Sequence, residues 1–330
     1  MLKPQATSTR ELISLDGLWK FALVTGDIDS ESPWTKTLDT TLEAPVPASY
    51  NDIFIDPKIH DHVGWVCYQR RLRVPRGWSD QERYFIRIEA ATHQGRVYVD
   101  DKVVVEHIGG YTPFDAEITT LVKPGDEFRL TIAVNNELTN ITIPPGAITV
   151  TETGARKQTY YHDFYNYAGL ARSVWLYSVP VRHIEDVTIS TDVQGLTGII
   201  RYSIKAATLN ERVKVNIFNE DEKLIAEAKG FEGEIKIKSA NLWQPGAAYL
   251  YQFKVSLQNL EGELVDSYSV ATGIRRVEVR GNKFLINNKP FYFTGFGRHE
   301  DTAIRGKCDP VEMSYDATYT NHTVYCRQGS

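Results

Sequence analysis

Cysteine is scarce in this chain: Cys67, Cys308 and Cys326 are the only three in 330 residues. Their number is odd and their spacing does not fit a zinc site, so they read as reduced thiols. A disulfide-stapled scaffold is excluded. Surplus charge is missing too. The formal net charge is −5 with no basic block, which argues against nucleic acid or an anionic membrane surface as a partner. No apolar run approaches the ~20 residues needed to cross a bilayer. The opening MLKPQATSTREL lacks the apolar core of a signal peptide, so the expected location is the cytoplasm. Two Asn-x-Thr sequons, at Asn140 and Asn321, carry little weight in that setting. Dinucleotide and P-loop glycine spacings are absent, so no nucleotide or other cofactor is implied. There is no internal repeat, and helical periodicity is nearly absent from the first half of the chain.

What is present is strand pattern, in a length that suggests two or three domains. Gly17 to Phe21, Gly64 to Val74, Tyr84 to Ala90 and Gly95 to Val105 read as strands, with Asp100-Asp101 as a hairpin turn. Pro45-Val46-Pro47-Ala48 must be extended, because each proline disfavours helix in the residue before it. Short strands at close spacing predict a mainly β chain that opens with a jelly-roll sandwich over residues 1–180. Between Asn135 and Arg172 the strand signal lapses. The aromatic stretch Tyr160 to Gly169 there predicts a long loop that packs against something outside its own sandwich. Alternation returns over 181–273, as in Val213, Val215 and Ile217 or Tyr251, Phe253, Val255 and Leu257. That stretch predicts an immunoglobulin-like sandwich without the antibody cysteine pair. Asn241 to Gly246 reads as a turn whose Trp243 pins a loop to the core.

Lys283 to Asp301, KFLINNKPFYFTGFGRHED, is the densest stretch. Asn287-Asn288 before Lys289-Pro290 is turn chemistry between two apolar runs. The second run, Phe291 to Phe296, is apolar on both faces, as in a strand buried between layers. It ends on Arg298, His299, Glu300 and Asp301, and parallel α/β barrels keep their chemistry at such a strand end. Only 29 residues follow Asp301, too few for a complete barrel.

Six stretches carry a family likeness: Leu15 to Trp19, Gly109 to Phe114, Val134 to Leu138, His162 to Gly169, Leu242 to Gly246, and Lys289 to Asp301. On these the chain resembles glycoside hydrolase family 2, and within it the β-glucuronidases. The resemblance implies a sandwich, an immunoglobulin-like module and a (β/α)₈ barrel, in an enzyme that removes terminal β-glucuronic acid with retention, usually as a tetramer. It implies that Asp163 accepts hydrogen bonds from sugar hydroxyls and that His299 lines the floor of the sugar site. The alternatives from the residues alone are an Asx turn at Asp163 and a His299 satisfied by neighbouring backbone.

The family's acid/base glutamate in Asn-Glu-Pro, its nucleophilic glutamate and its Asn-x-Lys lysine do not occur here. After Lys307 the chain reads CDPVEMSYDATYTNHTVYCRQGS, without an apolar helical stripe, so the resemblance implies the start of a barrel over 274–306 and a divergent, poorly ordered tail over 307–330. The expectation is a β-glucuronidase-family chain truncated before the catalytic part of the barrel and inactive alone. The rival reading is a non-catalytic carbohydrate-binding or oligomer-assembly module. Retaining hydrolysis needs two carboxyl groups about 5–5.5 Å apart, whereas Glu300 and Asp301 are adjacent and would point apart on a strand. Asp301 reads better as an ion-pair partner of Arg298. Three consecutive ligands also suit no metal ion, so none is expected at His299, Glu300 and Asp301. The expected partners are a weakly held β-glucuronide or related carbohydrate and other copies of the chain, because the uncovered aromatic loop and strand would drive association.

Overall fold

A computed structural model of the chain describes residues 2–162, 165–208, 210–293, 301–302 and 306–307, the last two pairs by backbone alone. The chain is mainly β and divides into two compact units.

One unit holds the first sandwich. Its strands are β1 (Glu11–Ser14), β2 (Gly17–Leu23), β3 (Glu43–Val46), β4 (Trp65–Arg73), β5 (Glu82–Ile88), β6 (Gln94–Val99), β7 (Lys102–Ile108), β8 (Phe114–Glu117), β9 (Glu127–Asn135), β10 (Gly146–Val150), β11 (Arg156–Tyr160) and β12 (Val174–Pro180). A six-stranded sheet runs in the order β3-β2-β4-β9-β6-β7 and a four-stranded sheet in the order β1-β12-β5-β8. Such non-sequential neighbours are the mark of a jelly roll. Trp19, Phe21, Tyr68, Ile86, Ile88, Leu130 and Ile132 fill the space between the sheets. The Asp100-Asp101 turn joins β6 to β7, with Asp100 at φ 50°.

The far face of the six-stranded sheet is covered as well. Cys67, Tyr98 and Ala133 are buried there beneath Val24, Ile28 and Leu38. Trp34 stacks on Tyr98 with ring centroids 4.2 Å apart and planes 8° from parallel. A period-two pattern sets Tyr98 with Arg96 on the face opposite Val97 and Val99, and this second cover buries it there.

The segment read as strandless contains the hairpin β10–β11, paired from Gly146↔Tyr160 to Val150↔Arg156. β11 is mostly exposed and β10 grades from a buried Gly146 to an exposed Val150, so no buried face imposed an alternation to read.

The other unit holds the second sandwich, built of β13 (Ile184–Gln194), β14 (Thr197–Ala206), β15 (Arg212–Phe218), β16 (Leu224–Lys229), β17 (Glu232–Ile237), β18 (Tyr251–Gln258) and β19 (Leu264–Thr272). Its sheets run β13-β14-β17 and β16-β15-β18-β19, an immunoglobulin-like arrangement. The alternating residues of β15 and β18 point inward, with Val215, Ile217, Phe253, Val255 and Leu257 fully buried. Each such burial contributes roughly 1.5–3 kcal/mol. Leu242 packs on this core, and Trp243 lies against Gly273, where a Cβ would come within 2.8 Å of the indole.

A three-stranded meander follows: β20 (Val277–Arg280), β21 (Lys283–Ile286) and β22 (Lys289–Pro290). Asn287 and Asn288 turn the chain at φ 51° and 63°, the pair of positive values that a tight two-residue hairpin needs. The strand–turn–strand reading holds as far as Pro290. Beyond it the expectation of a strand buried on both faces fails where the chain is described, because Tyr292 is 85% and Phe293 66% exposed. The backbone pairs β23 (Asp301–Thr302) and β24 (Gly306–Lys307) lie antiparallel. Among the described residues there is no closed barrel. The tail expectation for 308–330 lies outside them.

Candidate functional site

Asp163 and His299 both lie outside the described residues, as do Arg298, Glu300 and the side chain of Asp301. The flanks of the Asp163 loop are described, and they are fastened. Asn166, buried, accepts at Oδ1 from His93 Nε2 at 2.6 Å and donates to the Asn136 carbonyl at 2.9 Å. An amide oxygen only accepts, so the proton is on His93 Nε2. Asn136 is buried in turn. Its Nδ2 donates to the Tyr50 hydroxyl and the His62 carbonyl, both at 2.8 Å, and its Oδ1 accepts from Gly64 N. Asn51 accepts from Ala168 N at 3.0 Å and donates to the His60 carbonyl at 2.6 Å.

The aromatic residues of the loop pack on one another. Tyr165 makes edge contacts with Tyr160 and Tyr167, and its hydroxyl lies 3.3 Å from His60 Nε2. Burial pushes the Tyr165 phenol up to about 12, which keeps it a neutral donor. The described part of the loop therefore packs on its own sandwich, through polar groups satisfied as buried groups must be.

Beside this network the same sandwich carries a cleft of about 580 Å³. Its polar walls include Lys58, Asp61, His62, Glu137 and Arg156. Arg156 Nη1 donates to Glu137 Oε1 at 2.6 Å and to the Val63 carbonyl at 3.3 Å. His62 Nε2 donates to the Trp65 carbonyl at 2.9 Å, and burial lowers the His62 pKa, favouring the neutral ring. Asp27, also on the wall, caps the short helix Ile28–Glu31. Hydrogen bonds from Ser30 hold its carboxyl below the usual range.

Sequence reasoning missed this cleft because its residues come from segments that only the fold unites. The one local signal was His60-Asp61-His62 ahead of Gly64. A second, smaller cleft of about 280 Å³ on the other sandwich is lined by Trp243, Val187 and Arg275, whose guanidinium lies 4.4 Å from the Trp243 ring centre.

A retaining glycosidase needs one carboxyl held protonated, hence with a raised pKa, beside a second that is ionised. Among the described acids Asp115 is raised, by burial, and it is paired with Arg87 at 3.4 Å, away from both clefts. No three His, Cys, Asp or Glu side chains among the described residues converge on a metal position. No described helix is long and apolar enough to cross a membrane.

Comparison with known proteins agrees with this architecture. Residues 12–180 match the family described as glycosyl hydrolases family 2, sugar binding domain. Residues 182–275 match glycosyl hydrolases family 2, and 277–321 match its TIM barrel domain. A β-glucuronidase of Paenibacillus borealis is 45% identical over 313 residues, covering 93% of this chain and 52% of that protein. The human β-glucuronidase is 39% identical over 333 residues, covering 93% and 51%.

Among solved structures, the β-glucuronidase of an uncultured Clostridium superposes with a TM-score of 0.89 at 37% identity, over 97% of this chain and 54% of that one. The Ruminococcus gnavus enzyme in complex with uronic deoxynojirimycin gives 0.91 at 32% identity, over 96% and 54%. The chain spans about half the length of the curated relatives it matches. With both sandwiches matched in order and the barrel domain matched in part, the chain belongs to glycosyl hydrolases family 2, among the relatives of the β-glucuronidases.

Proposed function

We propose that this chain is the sugar-facing, non-catalytic part of a β-glucuronide hydrolase. It offers the Asp163 loop, and His299 after it, to a glucuronide without cleaving it. The domain assignment that goes with this reading is a sugar-binding-type sandwich over 1–180, an immunoglobulin-like one over 181–273 and the start of a barrel over 274–306. One observation carries the inactivity: the described acids lining the larger cleft are already engaged, Asp27 capping a helix, Asp61 bonded to His60 and Glu137 paired with Arg156, which leaves none as a free general acid. Hydrolysis by this mechanism needs that acid to protonate the leaving oxygen. Support for the sugar contact comes from the relatives, of which the Ruminococcus gnavus enzyme is described in complex with uronic deoxynojirimycin, and from the fastened flanks of the loop.

The test is incubation of the chain with a chromogenic β-glucuronide. No release of chromophore is expected, and turnover that one substitution in this chain abolishes would overturn the proposal. Self-association belongs to the same reading. Ile141 and Ile143 stand 89% and 82% exposed beside the hairpin β10–β11, and exposed apolar side chains of that kind favour contact between copies. Sedimentation velocity giving a monomer at all concentrations would remove it.

A further inference from the structure

Among the described residues, the cleft of the first sandwich draws no wall residue from 160–162 or 165–170, and its chemistry is that of a carbohydrate site of its own. We propose that it binds a neutral sugar unit, with hydroxyls bridging the Glu137–Arg156 pair and His62, beside Trp65. The inference is independent of the glucuronide reading.

The donors and acceptors are the first argument. Arg156 is 42% exposed and Glu137 26%, so both ends of the pair face water. The Arg156 bonds to Glu137 and Val63 use Nη1, which leaves the Nε and Nη2 protons of its five N–H donors to give. Glu137 uses Oε1 on Arg156, which leaves Oε2 to accept. With Nε2 of His62 donating to Trp65, Nδ1 of the neutral ring is an acceptor. A sugar hydroxyl donates and accepts at once, so neighbouring hydroxyls match alternating partners of this kind.

Charge decides which sugar. Lys58 and Arg156 stand against Asp27, Asp61 and Glu137, so the walls hold no surplus of positive charge. An anionic ligand such as a uronate gains nothing there, while a neutral polyol pays no repulsion.

Space is the third argument. A cleft of about 580 Å³ falls in the usual range of roughly 300–1,000 Å³ for small-molecule sites. Gly64 holds φ 138°, and a Cβ there would lie 3.4 Å from Arg156 Nη1 and 3.5 Å from His62 Nε2. Those are ordinary contacts, so it is the backbone conformation, which side-chain-bearing residues rarely adopt, that calls for glycine at this point of the floor.

Titration calorimetry of the whole chain with methyl β-D-glucoside and methyl β-D-glucuronide tests the inference. The glucoside is expected to bind with a Kd on the order of 1–10 mM. Arg156→Gln and Glu137→Gln should each weaken it by about tenfold, with thermal melts confirming that both variants fold.

No heat with the glucoside, or wild-type affinity in both cleft variants, overturns the inference. If only the glucuronide binds and Asp163→Asn abolishes that binding, this inference fails and the glucuronide reading stands. Glucoside binding lost in the cleft variants, with no glucuronide binding, gives the opposite outcome.

Discussion

Arg10 and Asp266, 256 positions apart, form a buried two-pronged ion pair. Arg10 Nε and Nη2 reach the two carboxylate oxygens at 2.9 and 2.6 Å, and Nη2 also donates to the Ile184 carbonyl at 2.7 Å. Asp266 accepts further from Ile184 N, Ser267 N and Thr9 Oγ1. Gln5 and Lys3 add contacts to Ser269 and Tyr268. The first ten residues thus belong to the second sandwich, although the first sandwich follows them in sequence.

Removing one partner of such a pair leaves a buried charge unmatched. Arg10→Ala is expected to destabilise the second sandwich by about 3–5 kcal/mol. A double change, Arg10→Met with Asp266→Leu, removes both buried charges but strands Ile184 N, Ser267 N and Thr9 Oγ1, so it should recover only part of that loss. Urea denaturation followed by tryptophan fluorescence measures both. Equal stability of Arg10→Ala and the parent would show that the pair contributes nothing.

Asn136 is the hub under the aromatic loop, serving Tyr50, His62 and Gly64 at once. Asn136→Ala strands the Gly64 amide and leaves the Tyr50 hydroxyl and the His62 carbonyl only their mutual 3.5 Å hydrogen bond, at about 1–3 kcal/mol for each group left unsatisfied. Amide exchange across 165–168 should rise together with a lower melting temperature. A lower melting temperature with unchanged exchange there would separate the hub from the loop.

Legibility in the sequence followed burial on one face. Val213, Val215 and Ile217 alternate with Lys214 and Asn216, and the structure buries that set against Phe253 and Val255. The Asn287-Asn288 turn was legible because few side chains accept positive φ. The hairpin β10–β11 was not, since neither strand has a wholly buried face. The burial of Tyr98 was not legible, because its cover, Trp34, lies far away in sequence. Arg10 carried no local signal, for its partner is set by the fold alone. At the candidate sugar loop, the resemblance supplied Asp163, while the network that fastens the loop became visible only in three dimensions.

Burial pushes Cys67 up to about 12, raises Tyr50 well above its usual value and lifts Tyr165 to about 12. Above about pH 8.5, where a free thiol titrates, the unfolded chain loses protons that the folded chain keeps. Stability from these groups is complete below that pH and falls as pH rises towards 12, since the unfolded state binds fewer protons. Urea midpoints are expected to drop between about pH 8.5 and 11, and less steeply in Cys67→Ala. In the native state Cys67 should also resist iodoacetamide. A midpoint that is flat with pH would contradict the protonated burial of these groups.

Gly169 closes the loop that follows Asp163, and its φ is 111°. A Cβ there would collide with the Tyr68 hydroxyl and come within 3.1 Å of the Tyr50 ring. Both tyrosines are buried in the core and cannot swing away. Gly169→Ala therefore combines an unfavourable backbone with an overlap, and a loss of about 1–3 kcal/mol is expected. Tyr68→Phe removes the hydroxyl and should restore part of it, while the backbone share remains. If the double variant melts no higher than Gly169→Ala, the overlap is not the cause and the left-handed backbone alone accounts for the requirement.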